Sequence, residues 1–191
     1  LNDKLKRHLM DDPELPRKKQ IIVYGRPSVP RNALGFIVAS LQQAFASCLD
    51  AHEWTLLSLG EKHSKIRIVP GLYLQSAGKL SLEEYAHTMS ESYIGISLMV
   101  SPHPSYPPLE MSSFGVKTIT NTFANKDLSA FNDNIISVSK FDCNHISQAI
   151  SELMDNYAPN NAHRVIDETY TSADNQFLQI VESITKEVTK H

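Results

Sequence analysis

The chain has 191 residues, 18 Lys+Arg against 21 Asp+Glu, and a formal net charge of −3. That length suits a single domain of about 100–200 residues, and 41% apolar with 20% charged residues is the make-up of a folded rather than a disordered chain. Near-balanced charge gives no general case for nucleic acid or an acidic membrane surface. Cys48 and Cys143 stand in no metal or redox spacing, which excludes a disulfide scaffold and fits a reducing compartment. No apolar run approaches the roughly 18 residues of a membrane span.

Taken in chain order, the first 20 residues are polar, hold Pro13, Pro16 and the basic run Arg17-Lys18-Lys19, and read as a linker with a short helix at residues 4–10. Ile21-Ile22-Val23-Tyr24-Gly25 is a continuous apolar run ending in Gly, as expected of a strand buried on both faces. Leu34, Ile37, Val38, Leu41 and Phe45 then recur at helical spacing. Apolar runs at 54–59, 66–69 and 72–74 predict three more strands. Ser81-Leu82-Glu83-Glu84 is a capping box, and Leu82, Tyr85, Ala86 and Met89 continue its helix.

Residues 93–100 read as the strongest strand, 107–114 as a short helix with proline in its first turn, and 116–120 and 135–138 as further strands. Asp142 caps a helix that carries Ile146, Ala149, Ile150, Leu153 and Met154, and residues 174–190 form a last amphipathic helix. Strands alternating with helices imply parallel βαβ units and a three-layer α/β sandwich, in which ligands bind at the carboxyl ends of the strands.

Absent motifs narrow the chemistry. There is no G-x-G-x-x-G, no Walker A loop, no H-E-x-x-H, no G-x-S-x-G and no D-x-D. Three loops after strand ends draw attention instead. Tyr24-Gly25-Arg26-Pro27-Ser28-Val29-Pro30-Arg31-Asn32 sets two arginines in a proline-stiffened frame, where guanidinium groups suit phosphate oxygens. Gln75-Ser76-Ala77-Gly78-Lys79-Leu80-Ser81 puts Lys79 before a helix start. Ser101-Pro102-His103-Pro104-Ser105-Tyr106-Pro107-Pro108-Leu109-Glu110-Met111 holds four of the ten prolines and places Glu110 in the first turn of a helix, where a carboxylate often meets sugar hydroxyls. Taken alone, solvated surface charge accounts for the arginines of the first loop equally well and for Lys79 better, while the helix dipole accounts for Glu110 but not for the rigid proline frame before it.

Together, the first and third loops resemble a GT-B glycosyltransferase of family 4, nearest the rhamnosyltransferase-type branch of bacterial cell-surface polysaccharide synthesis. The resemblance covers about residues 20–155. It implies a Rossmann-like α/β/α sandwich with a parallel sheet, one half of a GT-B fold. Residues 1–20 would be a linker, 21–172 the nucleotide-sugar (donor) domain, and 173–191 a helix packing on it or crossing to an N-terminal domain outside this sequence. The start at Leu1-Asn2-Asp3, without Met, agrees with a piece of a longer chain.

By the same resemblance, Arg26 and Lys79 hold the diphosphate and Glu110 contacts the ribose, these three being the catalytic set. Gly25, Arg31, His103, Tyr106, Pro107, Pro108 and Leu109 bind donor, and Leu72 and Tyr73 line a base pocket. The family pattern has two glutamates with seven residues between them; here Pro102 stands at the first position, so His103, Ser105 or Tyr106 would supply sugar contacts. The implied reaction is metal-independent sugar transfer from a nucleotide sugar, with dTDP-rhamnose as the expected donor, no cofactor and no metal. The glycan acceptor is met through the N-terminal domain. A cytoplasmic location follows, with no nucleic-acid partner and no transmembrane segment, and peripheral membrane association of the full-length protein stays open. The competing readings are a non-catalytic nucleotide-binding α/β module and a structural domain of a larger assembly.

Overall fold

In a computed structural model, which describes residues 3–11, 16–103, 105–160 and 163–164, seven strands form one sheet in the order β3-β4-β2-β1-β5-β6-β7. In chain order the elements are α1 (Asp3–Asp11), β1 (Lys18–Gly25), α2 (Leu34–Phe45), β2 (Thr55–Gly60), β3 (Ile66–Val69), β4 (Leu72–Gly78), α3 (Leu82–Glu91), β5 (Ser92–Ile96), α4 (Tyr106–Ser113), β6 (Lys117–Asn121), β7 (Ile135–Val138) and α5 (Cys143–Asp155). The helix expected at 174–190, and with it the proposed 173–191 unit, lies outside the described residues.

Six strands are parallel, and β3 is the exception: it pairs antiparallel with β4. The expectation of a parallel sheet therefore holds except at this edge. The reason is the two-residue Pro70-Gly71 turn, where proline sets one φ and Gly71 takes φ +87, so the chain reverses without a crossover helix.

Period-two alternation divides the strand side chains between two cores. Ile21 and Val23 of β1, with Leu56 and Leu74, meet Ile37, Leu41 and Phe45 of α2 and Ile146 and Ile150 of α5. Ile22 of β1 and Leu59 of β2 face the other way, against Leu5 and Leu9 of α1, Met89 of α3 and Met111 and Phe114 next to α4. Each such side chain contributes about 1.5–3 kcal/mol on burial.

The segment read as a linker is thus a packed element: Leu5 is 1% and Leu9 4% exposed. Its basic run is not free either. Arg17 is buried and donates through Nη1 to the Met89 and Ser92 carbonyls (2.6 and 3.3 Å) and through Nη2 to the Phe114 carbonyl, closing the ends of two helices. Lys18 pairs with Glu91, and Lys19 with Asp50 and Glu53.

The third difference concerns β5. It stops at Ile96 rather than running to Val100: Ser97 N–H still donates to the Ile119 carbonyl (3.0 Å), but at Met99 the Asn121 side chain takes the backbone groups, Oδ1 accepting from Met99 N–H (2.8 Å) and Nδ2 donating to the Met99 carbonyl (3.2 Å). The chain turns off there into the proline-rich loop. Gly95 lies directly under α4; a Cβ on it would stand 2.8 Å from Met111 Sδ, so the absence of a side chain is what lets α4 sit close.

Candidate functional site

The carboxyl ends of the parallel strands carry the predicted loops side by side. β1 delivers Gly25, buried, and then Arg26. The following turn is built by Val29 N–H to Arg26 C=O (2.9 Å) and by a 3-10 turn, Pro30–Asn32, that leads into α2 at Leu34, the first residue of the helical spacing. Both neighbouring loops hold this turn. Ser28 donates from N–H and Oγ to Glu61 Oε2 (3.2 and 2.6 Å), and Val100 N–H donates to the Arg31 carbonyl (2.8 Å). The Ser28 hydroxyl, aided by the Arg26 charge, keeps Glu61 below the usual carboxylate range. The loop is therefore stiff from its cross-links as well as from its prolines.

Arg26 lies across Gly60, at the end of β2. Gly60 has φ +108, and a Cβ there would come within 3.2 Å of both Arg26 Cγ and the Tyr24 ring. Lys79 follows directly on β4, which runs to Gly78, so residues 75–78 of the expected second loop are strand. Its neighbour Ser81 accepts from Glu84 N–H (3.2 Å) while Glu84 Oε2 accepts from Ser81 N–H (2.8 Å), the capping box read from sequence.

Two adjoining pockets result. One, of about 300 Å³, is lined by Tyr24, Arg26, Leu59, Gly60, Lys79, Leu80 and Tyr85. The other, of about 200 Å³, is lined by Tyr24, Arg26, Arg31, Asn32 and Met99 on one side and by His103, Ser105, Tyr106 and Pro107 on the other. Arg26 and Tyr24 belong to both. Met99, which lines the second pocket, is held by its carbonyl, which accepts from Asn121 Nδ2 (3.2 Å) and from Lys126 Nζ (2.8 Å); burial lowers the pKa of that lysine.

Of the residues singled out in the sequence, Arg26 and Lys79 meet in the first pocket, and Arg26, Arg31, His103, Tyr106 and Pro107 in the second. Gly25 lies beneath them: a Cβ there would stand 2.6 Å from Ser58 Oγ. Pro108 and Leu109 are on the buried side of α4, Leu109 against Leu128 and Ile135, and line neither pocket. Leu72 and Tyr73 are not at this site. They open β4, and they line a separate cavity with Gln20, His52 and Trp54 at the amino ends of the parallel strands.

Glu110 is displaced from expectation by one turn. Ser105 is the N-cap of α4 and Glu110 its fifth residue, so the carboxylate stands in the second turn, outside the reach of the helix-start dipole. It lines neither pocket but accepts a hydrogen bond from Tyr85 Oη (3.2 Å), and Tyr85 lines the first. Burial raises the Glu110 pKa against the opposing pull of that bond, and burial together with Glu110 raises Tyr85 well above its ordinary value. The α4 N-terminus is also a poorer anion donor than expected. Prolines 107 and 108 occupy two of the four positions whose N–H groups would be free.

Tyr24, Tyr85 and Asn32 were missed by the sequence reading. Tyr85 sits at helical spacing with core residues, and Tyr24 looks like one more apolar strand residue; alternation with Ile22 is the signal that places it on the pocket face. Asn32 has no such signal. It is 2% exposed, and among the described residues its Oδ1 is buried without a hydrogen-bond partner, a state that costs about 1–3 kcal/mol. Among the described residues no three His, Cys, Asp or Glu side chains gather into a metal-binding group, and no helix is long and apolar enough to cross a membrane.

A mostly parallel sheet between two helical layers, with Arg26, Arg31 and Lys79 at its carboxyl edge, defines a Rossmann-like α/β class of domain. The WsaF C-terminal domain family matches residues 19–151, and the chain belongs to that family. A relative, the O-antigen biosynthesis protein RfbC of Myxococcus xanthus, is 33% identical over 102 residues, 53% of this chain and 8% of RfbC. The chain thus spans under a tenth of that relative's length. Among solved structures, TarM superposes with a TM-score of 0.61 at 12% identity, over 78% of this chain and 31% of its own. WaaG, a glycosyltransferase involved in lipopolysaccharide biosynthesis, gives 0.54 at 9% identity, over 85% and 44%. Sucrose-phosphate synthase from Thermosynechococcus elongatus gives 0.56 at 16%, over 85% and 43%. At these identities the likeness establishes the fold alone, one half of a GT-B fold.

Proposed function

We propose that this chain is the donor-binding half of a family 4 glycosyltransferase that takes a nucleotide-diphosphate sugar, dTDP-rhamnose, and passes the sugar to a growing surface polysaccharide without a metal. The observation that carries the reading is Arg26, which stands in the wall common to two pockets, with Lys79 beside it in one and Arg31 in the other. A diphosphate seated on Arg26 would direct its nucleoside into the pocket walled by Tyr24, Leu59, Leu80 and Tyr85, and its sugar toward His103 and Tyr106. The names of RfbC and WaaG, an O-antigen biosynthesis protein and a lipopolysaccharide glycosyltransferase, support a polysaccharide product.

In this reading the bond from the anomeric carbon to the leaving phosphate oxygen breaks with negative charge growing on the nucleoside diphosphate. Arg26, Arg31 and Lys79 meet that charge, and losing one such contact costs about 10²–10³ in rate, as for oxyanion donors. Glu110 acts through Tyr85, holding its ring against the nucleoside. The acceptor is held by a domain outside this sequence. Free Cys48 and Cys143 support a cytoplasmic setting, with any membrane association peripheral.

Calorimetric titration with thymidine, uridine and guanosine diphosphates, before and after adding magnesium, tests the reading. One nucleotide is expected to bind equally well without metal and to lose at least about tenfold in affinity in Arg26→Ala. Failure of the folded chain to bind any of the three overturns it. Equal binding of a nucleoside diphosphate with and without its sugar would instead favour a plain nucleotide-binding module.

A further inference from the structure

The second pocket holds a group that phosphate binding does not use. Asn32 ends the 3-10 turn between Arg31 and α2 and lines the pocket with Arg26, Arg31, His103, Ser105 and Tyr106. Its position is tightly held: its N–H donates to the Val29 carbonyl (2.9 Å), and the adjoining Arg31 carbonyl accepts from Val100 N–H. Asn32 as a whole is 2% exposed, and its Oδ1 is buried and unpartnered among the described residues. A buried polar atom left unpaired in a well-anchored turn points to a ligand or a bound water. A carboxamide donates and accepts at once, which is what a hydroxyl requires and a phosphate does not.

We propose that Asn32 reads a hydroxyl of the donor sugar, and so takes over part of the sugar contact that Pro102 cannot make. The inference rests on the donor-binding reading above. Asn32 follows Arg31 in the chain and lines one pocket with Arg26, His103 and Tyr106, so a neutral amide shares that pocket with the two arginines assigned to the diphosphate.

The test titrates the full chain, and its Asn32→Ala variant, with dTDP and separately with dTDP-rhamnose, and records melting temperatures without ligand. Asn32→Ser, which keeps a polar group too short to replace the amide, is the second variant. Both variants are expected to bind dTDP within about twofold of the parent chain and to lose about tenfold for dTDP-rhamnose. Asn32→Ala, relieved of an orphaned buried acceptor, should melt no lower than the parent. Unchanged affinity for both ligands, or an equal loss of both with a lower melting temperature, overturns the assignment. If the parent chain binds neither ligand, the donor reading itself has failed, and that is visible before any variant is made.

Discussion

Glu110 takes its character from its surroundings rather than from its place in a motif. One turn further into α4 than expected, it is enclosed enough that burial raises its pKa above the ordinary 4.5, while the Tyr85 hydroxyl partly compensates the charged form. An acid whose pKa is higher folded than unfolded gives up stability as pH rises. The contribution is full at and below about 4.5 and is lost as pH climbs through the folded value, because the unfolded chain releases its proton first. Urea midpoints of the parent chain should therefore fall relative to Glu110→Gln as pH rises above about 4.5. A difference between the two chains that does not vary with pH would show that this carboxyl is not strained by burial. The alternation of β1 marks Tyr24 in the sequence, but nothing there marks Tyr85 as the residue standing between Glu110 and the pocket. That contact joins residues 25 apart.

At the scale of elements, local rules carried far. The capping box at Ser81, the Asp142 cap on α5 and the heptad-like faces of α2 and α5 all formed where spacing predicted. They did so because each depends on neighbours within four residues. What failed was length and direction. β5 ends early because Asn121, on the next strand, captures Met99, and β3 runs backwards because Pro70-Gly71 is too short for a crossover. The site leans on one such junction. Gly60→Ala would put a β-carbon at φ +108, 3.2 Å from the Arg26 stem and the Tyr24 ring, and should cost about 1–2 kcal/mol in stability. It should also weaken nucleoside diphosphate binding by about tenfold, since Arg26 must move. Calorimetry on Gly60→Ala showing undiminished affinity would mean that Arg26 does not hold the ligand.

For the whole molecule, the N-terminal segment changes most between sequence and structure. Leu5 and Leu9 fill the core against Met89, Met111 and Phe114, and Arg17 ties the ends of α3 and α4 together from inside. Leu5→Ala should therefore cost about 2–4 kcal/mol in a urea titration, where a residue in a linker would cost nothing measurable. The sequence by itself determined the α/β class, most of the elements, and the presence of Arg26 and Arg31 in the loop after one strand and of Lys79 in the loop after another. These follow from periodicity and from the rule that loops after parallel strands share one edge. Only the tertiary structure decided which of those loops meet. It set Leu72 and Tyr73 at the opposite edge, moved Glu110 behind Tyr85, and closed Asn32 into the second pocket. Each of these is a distance between residues far apart in the chain, and such distances are set by packing across the sheet, which no local pattern encodes.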